Sequence, residues 1–366
     1  MHAPVIDHRG PEFAVLGRAV LQGMRAIFQT KSHVIIYPAS GTGACEAALS
    51  NPLSPGDRVV IMETGWFSHV AWRQVAERLG LVVDYVPGTW RRGASPDDLE
   101  ARLASDRQHE IKAVVVVHNE TSTGAISRLP DLRAVMNRLG HPALLIVDTV
   151  SSLASIDYRH DEWEVDVAVS GSQKGLMVPP GISFNAVSEK ALKASLAKKA
   201  KSPSNYWDWH EMIRANASGF FPYTPATNLL YALREALTML QEEGLPAIFQ
   251  RHARHGEATR AAVKGWGLQM VCEEPCEYSN VLTAVMMPEG HDADQLRKLI
   301  LDRFDMSLGT GLGKLAGKAF RIGHLGSFND LMLAGTLSGV EMGLAAAGVP
   351  HQPGGINAAL TYLAQN

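Results

Sequence analysis

Cysteine is scarce in this chain. Only Cys45, Cys272 and Cys276 occur in 366 residues, too few and too irregularly spaced for a disulfide framework or a zinc site. The last two flank a Glu-Glu-Pro stretch with no histidine pair nearby, so we expect no metal site there. Scarce cysteine is typical of a reducing compartment, and we therefore expect a cytoplasmic protein.

Long apolar runs and an excess of one charge are also missing. No stretch reaches the roughly 18 apolar residues of a membrane helix, and the N-terminus lacks the features of a signal peptide. The formal net charge is −3, and the densest basic run, residues 193–201, holds four lysines without aromatic residues between them. We therefore predict neither a membrane nor a nucleic-acid partner. We interpret the run as a solvated helix face, or alternatively as a rim that attracts anionic substrates.

Nucleotide-binding motifs are absent too. The chain has neither G-x-x-x-x-G-K-[ST] nor a G-x-G-x-x-G after its first predicted strand. That strand, residues 34–37, is instead followed by the small-residue turn Ser40, Gly41, Thr42 and Gly43 in front of a predicted helix. Backbone N–H groups at such a helix N-terminus can hold a small phosphate group.

Chain length and apolar pattern indicate two domains, since 366 residues exceed the usual limit for one core. Short apolar strands alternate with helical patterns, which predicts an α/β fold with a mostly parallel, doubly wound sheet. We predict a large domain at residues 1–248 and a smaller α+β domain at 249–366. The predicted strands are residues 34–37, 59–62, 81–86, 113–117, 144–147, 165–169, 281–286 and 319–322. The predicted helices are residues 44–50, 70–78, 96–104, 129–139, 229–243, 249–265, 293–304 and 329–347.

Two functional side chains follow neighbouring predicted strands. Asp148 comes directly after residues 144–147, and Lys174 stands in a Ser-Gly-Ser-Gln-Lys-Gly run after residues 165–169. Ligands of open α/β sheets bind at the carboxyl edge where such strands end. A phosphate turn, a carboxylate and a lysine are the parts needed to hold pyridoxal 5′-phosphate (PLP), whose ring serves as an electron sink.

Each of these residues has a plainer alternative. Asp148 is expected to pair with a protonated ring nitrogen, or else to cap the following helix. Lys174 is expected to form the Schiff base, because an unpaired buried ammonium is costly, or else to be an exposed loop lysine. Arg321, inside a short apolar strand, is assigned to a substrate α-carboxylate, or else to a structural salt bridge.

Further candidates leave two other strand ends. His118, Asn119 and Thr121 carry donors for the phenolic oxygen of the ring, or else form a polar turn. Phe67, beside Trp66, is expected to stack on the ring, or else simply to pack.

On these motifs the chain resembles the class V aminotransferases of PLP fold type I, and among them the serine–glyoxylate and aspartate–glyoxylate transaminases. The matching segments follow the family order along nearly the full chain. They are residues 7–13 (Asp-His-Arg-Gly-Pro-Glu-Phe), 40–43 (Ser-Gly-Thr-Gly), 118–124 (His-Asn-Glu-Thr-Ser-Thr-Gly), 147–152 (Val-Asp-Thr-Val-Ser-Ser), 171–176 (Gly-Ser-Gln-Lys-Gly-Leu), 221–225 (Phe-Pro-Tyr-Thr-Pro) and 320–324 (Phe-Arg-Ile-Gly-His).

The resemblance implies that Lys174 forms the Schiff base with PLP, Asp148 pairs with the pyridine nitrogen and Arg321 holds the substrate carboxylate. It also implies a homodimer or a higher oligomer that acts on small amino acids and 2-oxo acids. The other implied PLP contacts are Val150 and Phe67 on the ring faces, Thr121 at the phenolic oxygen, Gly41, Thr42 and Gln173 at the phosphate, and Tyr223 and Thr224 of the partner subunit at the same phosphate.

The implied reaction leaves the amine of an L-amino acid on the cofactor, and glyoxylate collects it as glycine. The donor is L-serine, giving hydroxypyruvate, or L-aspartate, giving oxaloacetate; residues 7–13 and 225–230 resemble the aspartate-using branch more. The alternatives are an alanine–glyoxylate aminotransferase, a cysteine desulfurase that uses Cys272 or Cys276, and a catalytically silent PLP-fold binding protein.

Two features depart from the family pattern. Relatives usually carry a Pro-Gly-Pro-Thr strand and loop before the segment at Asp7, where this chain has six residues, so we expect an internal start or a trimmed chain. Cys45 stands where close relatives often have a bulky aromatic residue.

Overall fold

The computed structural model describes residues 4–198 and 204–366. The predicted basic run is therefore described only in part, because Lys199 and Lys201 lie outside the described residues. Within the described part, no helix combines the length and the apolar character needed to cross a membrane.

The described chain contains twelve α-helices and twelve strands. The helices are α1 (Pro11–Phe28), α2 (Gly41–Ser50), α3 (Gln74–Arg78), α4 (Pro96–Ser105), α5 (Leu129–Arg138), α6 (Glu189–Ala197), α7 (Trp209–Asn216), α8 (Thr227–Glu243), α9 (Leu245–Gly265), α10 (Ala293–Phe304), α11 (Asp330–Ala346) and α12 (Gly355–Gln365). The strands are β1 (His33–Tyr37), β2 (Arg58–Met62), β3 (Val82–Val86), β4 (Ile111–Val117), β5 (Asn119–Glu120), β6 (Ala125–Ile126), β7 (Leu144–Asp148), β8 (Val167–Gly171), β9 (Ser183–Val187), β10 (Leu282–Met286), β11 (Gly309–Thr310) and β12 (Ala319–Gly323). A π-helical segment, Ser68–Arg73, leads directly into α3, and short 3₁₀ turns cover Pro275–Glu277 and Gly313–Leu315.

Seven strands form one sheet in the order β1-β9-β8-β7-β4-β2-β3. β7 pairs in parallel with β4 and β8, and β2 pairs in parallel with β3 and β4, whereas β9 runs antiparallel to β1 and β8. The predicted mostly parallel sheet is thus confirmed, with one strand that the sequence did not predict.

Strand β9 escaped prediction because it reads Ser-Phe-Asn-Ala-Val rather than as an apolar run, although all five residues are buried. The fold satisfies its central amide: Asn185 Nδ2 donates to Ala44 O at 3.1 Å, and Asn185 Oδ1 accepts from Trp209 Nε1 at 3.2 Å. These partners come from α2 and α7, which lie far away in sequence.

Helices cover both faces of the sheet, as a doubly wound fold requires. Because successive strand residues point to opposite faces, Val34 and Ile36 enter one core and Ile35 and Tyr37 the other. The first core packs against α1, α4, α5 and α8, and the second against α2, α6, α7 and the helical segment at residues 68–78.

The C-terminal part builds a separate core. A three-stranded antiparallel sheet in the order β10-β12-β11 packs against helices α9 to α12, and its Phe320 shares a core with Leu337 of α11. The predicted division between residues 248 and 249 stays a prediction and falls inside α9. This helix contributes Ile248 to the core of the large sheet and Ala258 to the C-terminal core.

Asp330, at the start of α11, ties that helix to α9. Arg254 donates to both of its carboxylate oxygens, at 2.6 and 2.9 Å, and His255 Nε2 lies 2.9 Å from Oδ1. The hydrogen bond from Arg254 is the main reason that the pKa of Asp330 falls to about 2. Because the folded pKa lies below the unfolded one, the stabilisation is present above the unfolded pKa and is lost as the pH falls through about 2.

We expect Asp330→Asn to lower the free energy of unfolding at neutral pH. The difference in this free energy between the variant and the unsubstituted protein should become smaller as the pH falls below the unfolded pKa. Urea unfolding over a pH series measures both. Asp302→Asn is the control, because the Asp302–Lys298 pair is exposed and such pairs contribute little. A difference in unfolding free energy that does not change with pH would show that the charge of the Asp330 carboxylate is not what stabilises the fold.

Candidate functional site

Asp148 ends β7 at the carboxyl edge of the parallel strands. Its carboxylate is buried, with Oδ2 accepting from Trp72 Nε1 at 2.9 Å and Oδ1 accepting from the Val150 backbone N–H at 2.9 Å. Burial raises its pKa, and the two hydrogen bonds and the charge of Lys174 oppose that shift. A carboxylate held in this way has both oxygens oriented and favours a cationic partner.

Lys174 lies in a tight turn after β8. The Met177 N–H donates to Lys174 O at 2.9 Å, and the Val178 N–H donates to Ser172 O at 3.0 Å, so the backbone on either side is fixed. The side chain is half-buried, and its pKa is lowered by burial and then by the charge of Arg321, while Asp148 opposes the shift. The lysine therefore lies between a carboxylate and a guanidinium, in surroundings that favour the neutral amine.

The small-residue turn opens α2 as predicted. Ser40 precedes the helix and its side chain makes no capping hydrogen bond among the described residues. A Cβ atom on Gly41 would lie 3.1 Å from Val150 Cγ2, and one on Gly43 would lie 2.7 Å from the Trp207 ring. The N–H groups of Gly43 and Ala44 donate to Ser40 O, whereas those of Gly41 and Thr42 have no backbone acceptor among the described residues and suit an anion.

A hydroxyl and amide network lies beside Asp148. Ser151 Oγ accepts from Asn119 Nδ2 at 2.8 Å and from Thr121 Oγ1 at 3.0 Å, and it donates to Asn119 O at 2.9 Å. Asn119 Oδ1 is buried without a hydrogen-bond partner in the described part of the chain. His118 points elsewhere: it is buried, its Nδ1 lies 2.9 Å from Ser152 Oγ, and burial lowers its pKa to about 4. Of the three proposed donors, only Asn119 and Thr121 share this network.

Arg321 lies in β12 and joins the two parts of the molecule. Its Nε donates to Thr310 O at 2.8 Å, and its Nη1 donates to Thr121 O at 2.9 Å. The guanidinium is half-buried, which lowers its pKa, and it makes no ion pair with any described residue. The structure therefore does not contain the salt bridge considered as the alternative. Two backbone carbonyls orient the fork, and Nη2 is left for a ligand.

The remaining predicted residues are less constrained. Phe67 is half-buried and its ring stacks on no aromatic ring of the described residues, whereas Gln173 and Thr224 are exposed. Tyr223 stacks on Tyr206 at 4.4 Å between ring centroids and donates to Tyr206 O at 2.9 Å. That Tyr223 and Thr224 serve the partner subunit stays a prediction, as do the PLP contacts of Phe67 and Gln173.

Several residues of the site escaped the sequence analysis. Trp72 lies in the segment predicted as a helix, but nothing in the sequence pointed to its hydrogen bond with a strand end 76 residues away. Ser151 and Glu120 stand inside quoted motifs, yet their bonding depends on loops that meet only in the fold. The one feature of the sequence that could have indicated Ser151 and Glu120 as site residues is that each is polar and lies close to the end of a predicted strand.

The three cysteines differ in their exposure. Cys272 is buried and its pKa is raised to about 11, mainly by burial. Burial also raises the pKa of Cys45, and only Cys276 is exposed. The thiolate is the nucleophilic form, so a desulfurase role gains no support from Cys272.

Comparison with known proteins gives consistent matches. The family model "Aminotransferase class-V" matches residues 6–312. A serine–glyoxylate aminotransferase of Methylorubrum extorquens is 46% identical over 98% of this chain and 90% of its own length. An L-aspartate–glyoxylate aminotransferase of Paracoccus denitrificans is 42% identical, over 99% of this chain and 91% of its own. The crystal structure of ureidoglycine–glyoxylate aminotransferase from Bacillus subtilis superposes with a TM-score of 0.92 at 30% identity, covering 100% of this chain and 93% of that one.

The bond between Trp72 and Asp148 can be tested by stability. We expect Trp72→Phe to lower the free energy of unfolding by about 1 kcal/mol more than Trp209→Phe, because a hydrogen bond to a charged acceptor is worth more than one to the neutral Asn185 amide. The excess should shrink at acid pH, where Asp148 is protonated. Chemical denaturation of both variants measures it, and equal losses at neutral pH would mean that Trp72 contributes only packing.

Proposed function

Since the chain belongs to the class V aminotransferases, we propose that it uses PLP to transfer the amino group of L-serine or L-aspartate to glyoxylate, forming glycine. The observation that carries the proposal is that Asp148 and Lys174 follow neighbouring parallel strands at one edge of the sheet, where Arg321 of the C-terminal sheet reaches over to donate to Thr121 O. The names of the two relatives described above supply the candidate donors.

The chemistry of the donor set fits PLP. The uncapped start of α2 suits a phosphate, the buried Asp148 suits a ring nitrogen cation, and the half-buried Lys174 suits a carbonyl. When bound, PLP would supply an aldehyde that can take up and release the amino group and a ring that withdraws electrons from the reacting carbon.

Asp148 would keep the ring nitrogen protonated. Its carboxylate is desolvated, so a cation opposite it is strongly favoured. Trp72 and the Val150 N–H fix both oxygens and hold the carboxylate in one orientation.

Lys174 Nζ would anchor the cofactor and, once an amino acid displaces it, take the proton from the substrate α-carbon. A base must be neutral to do so, and burial together with the nearby Arg321 charge favours the neutral amine.

Arg321 would bind the carboxylate beside the reacting carbon. Amino donor and glyoxylate both carry such a carboxylate, so one guanidinium serves both halves of the exchange. Its fork is already oriented by Thr310 O and Thr121 O, which reduces the entropy lost when the substrate binds.

The other cofactor contacts follow from the family. Ser40, Gly41, Thr42, Gly43 and Gln173 would hold the phosphate. In a homodimer, Tyr223 and Thr224 of the partner subunit would complete that cup. Val150 and Phe67 would cover the ring faces, and Thr121 would approach the phenolic oxygen.

The alternatives have weaker support. A silent scaffold has no evident use for a half-buried lysine between Asp148 and Arg321. A desulfurase needs a reactive thiol, and Cys272 has a pKa of about 11.

We expect the purified protein, mixed with PLP and glyoxylate, to form glycine with L-serine or L-aspartate. Lys174→Ala should lose both glycine formation and the visible absorbance of the bound cofactor, because the amine that anchors PLP is gone. Lys193→Ala, an exposed lysine of α6, is the control and should leave both unchanged. No glycine with either donor or with L-alanine would contradict the proposal; glycine from L-alanine alone would move it to the alanine-using class.

We expect Arg321→Lys to raise the KM for glyoxylate and for the amino donor by about tenfold or more, because an ammonium cannot replace the bidentate fork. The bound cofactor should keep its absorbance. Steady-state kinetics with Arg303→Lys, an exposed arginine of α10, as the control gives the comparison. An unchanged KM for both substrates would remove Arg321 from the carboxylate site.

A further inference from the structure

Glu120 is a fully buried carboxylate for which the proposed function has no role. It ends β5, two residues after His118, and has 0% exposure. Its Oε1 accepts from the Ser122 N–H at 3.0 Å and from Ser122 Oγ at 2.6 Å. Its Oε2 accepts from the N–H groups of Phe67 at 3.2 Å and Ser68 at 3.4 Å. A carboxylate with so many donors and no exposure is held in one place.

The loop that Glu120 meets depends on side chains for its hydrogen bonds. Ser68 Oγ accepts from the N–H groups of Thr64 at 3.1 Å and Gly65 at 3.2 Å, and Ser122 Oγ accepts from the Trp66 N–H at 2.9 Å. With the two bonds to Glu120, five successive N–H groups are therefore satisfied by side chains. They lie at the start of the helical segment 68–78, where a helix has no backbone acceptors of its own and where negative charge is favourable.

Gly65 gives independent evidence that the two loops are built against each other. A Cβ atom there would lie 2.3 Å from Ser122 Oγ and 2.5 Å from Glu120 Cγ. No larger residue fits, so the position of the 64–68 loop is set by contact with Glu120 and Ser122.

The same carboxylate also acts on Arg321. The charge of Glu120 raises the pKa of this arginine and so opposes the effect of burial. Arg321 Nη1 is bonded to the carbonyl of Thr121, the next residue in the chain. Glu120 thus lies where the loop of Phe67, the turn of Thr121 and the guanidinium of Arg321 meet.

We propose that Glu120 is a positioning residue. Its buried negative charge holds Phe67 over the cofactor face and stabilises the charged guanidinium of Arg321. The proposal rests on the proposed function, because Phe67 and Arg321 act there on PLP and on the substrate. Glu120 itself is not proposed to contact PLP or the substrate.

The charge is required, not only the shape. Every hydrogen bond of Glu120 described above is accepted, and none is donated. Glutamine would turn one acceptor into an NH₂ group facing N–H donors, leaving buried donors without a partner.

Hydrogen exchange of the protein without PLP tests the loop directly. In Glu120→Gln we expect amides of residues 64–68 to exchange at least about tenfold faster, the equivalent of losing one hydrogen bond to a charged group. Glu277→Gln is the matched control: Glu277 is also buried, with 6% exposure, and accepts from the Gly93 N–H at 2.8 Å, so its loss should leave residues 64–68 unchanged.

With PLP added, we expect Glu120→Gln to weaken the circular dichroism of the bound cofactor and to raise the KM for glyoxylate about tenfold, with Glu277→Gln unchanged in both. If Glu120→Gln only lowers the melting temperature while exchange at 64–68, dichroism and KM stay as before, the residue is merely structural and the proposal is overturned.

If Glu120→Gln does not fold, Ser122→Ala is the second test variant. It keeps the Glu120 carboxylate but removes the oxygen that accepts from the Trp66 N–H. It should accelerate exchange at residues 64–68 less than Glu120→Gln but measurably, and unchanged exchange there overturns the proposal. Failure of the unsubstituted protein to form glycine overturns the proposed function alone, because exchange and cofactor dichroism require no turnover.

Discussion

A negative charge placed out of reach of water is the constraint on which this site depends. Asp148 ends a strand whose other residues are aliphatic, and within residues 4–198 and 204–366 it has two hydrogen bonds but no direct ion pair. Its remaining electrostatic need is for a cation in the open edge of the sheet. That need explains why the half-buried Lys174 and Arg321 lie nearby, and why a ligand with a cationic ring nitrogen suits the edge.

Arg321 connects the two parts of the candidate site through a backbone carbonyl of the large domain and not through an ion pair. Arg321 belongs to the C-terminal sheet, yet one of its bonds goes to Thr121, in the turn between β5 and β6 of the large domain. Helix α9 contributes residues to both cores. Orientation by carbonyls leaves the guanidinium without an ion pair among the described residues, which suits the proposed role of Arg321 in binding a carboxylate.

Much of this architecture could be predicted from the sequence, because it is encoded locally. The strands that carry Asp148 and Lys174 are short apolar runs followed by polar residues, and parallel strands end at one edge. Helix α10 was predicted with the bounds that the structure has, since its apolar periodicity is clear. What could not be predicted depends on partners that are distant in the chain. Strand β9 is stabilised by bonds from α2 and α7, Trp72 reaches Asp148 across 76 residues, and the bonds of Glu120 exist only once two loops meet.

Strand β9 has one more effect. It runs antiparallel to both β1 and β8, so β1 and β8 point the same way and both end at the ligand edge. The turn at Ser40 and the turn at Lys174 are then separated by two strand spacings, about 10 Å in all. The reversed strand therefore acts as a spacer, and its width sets how long a molecule must be to reach the start of α2, where we propose that the phosphate binds, with one end and Lys174 with the other.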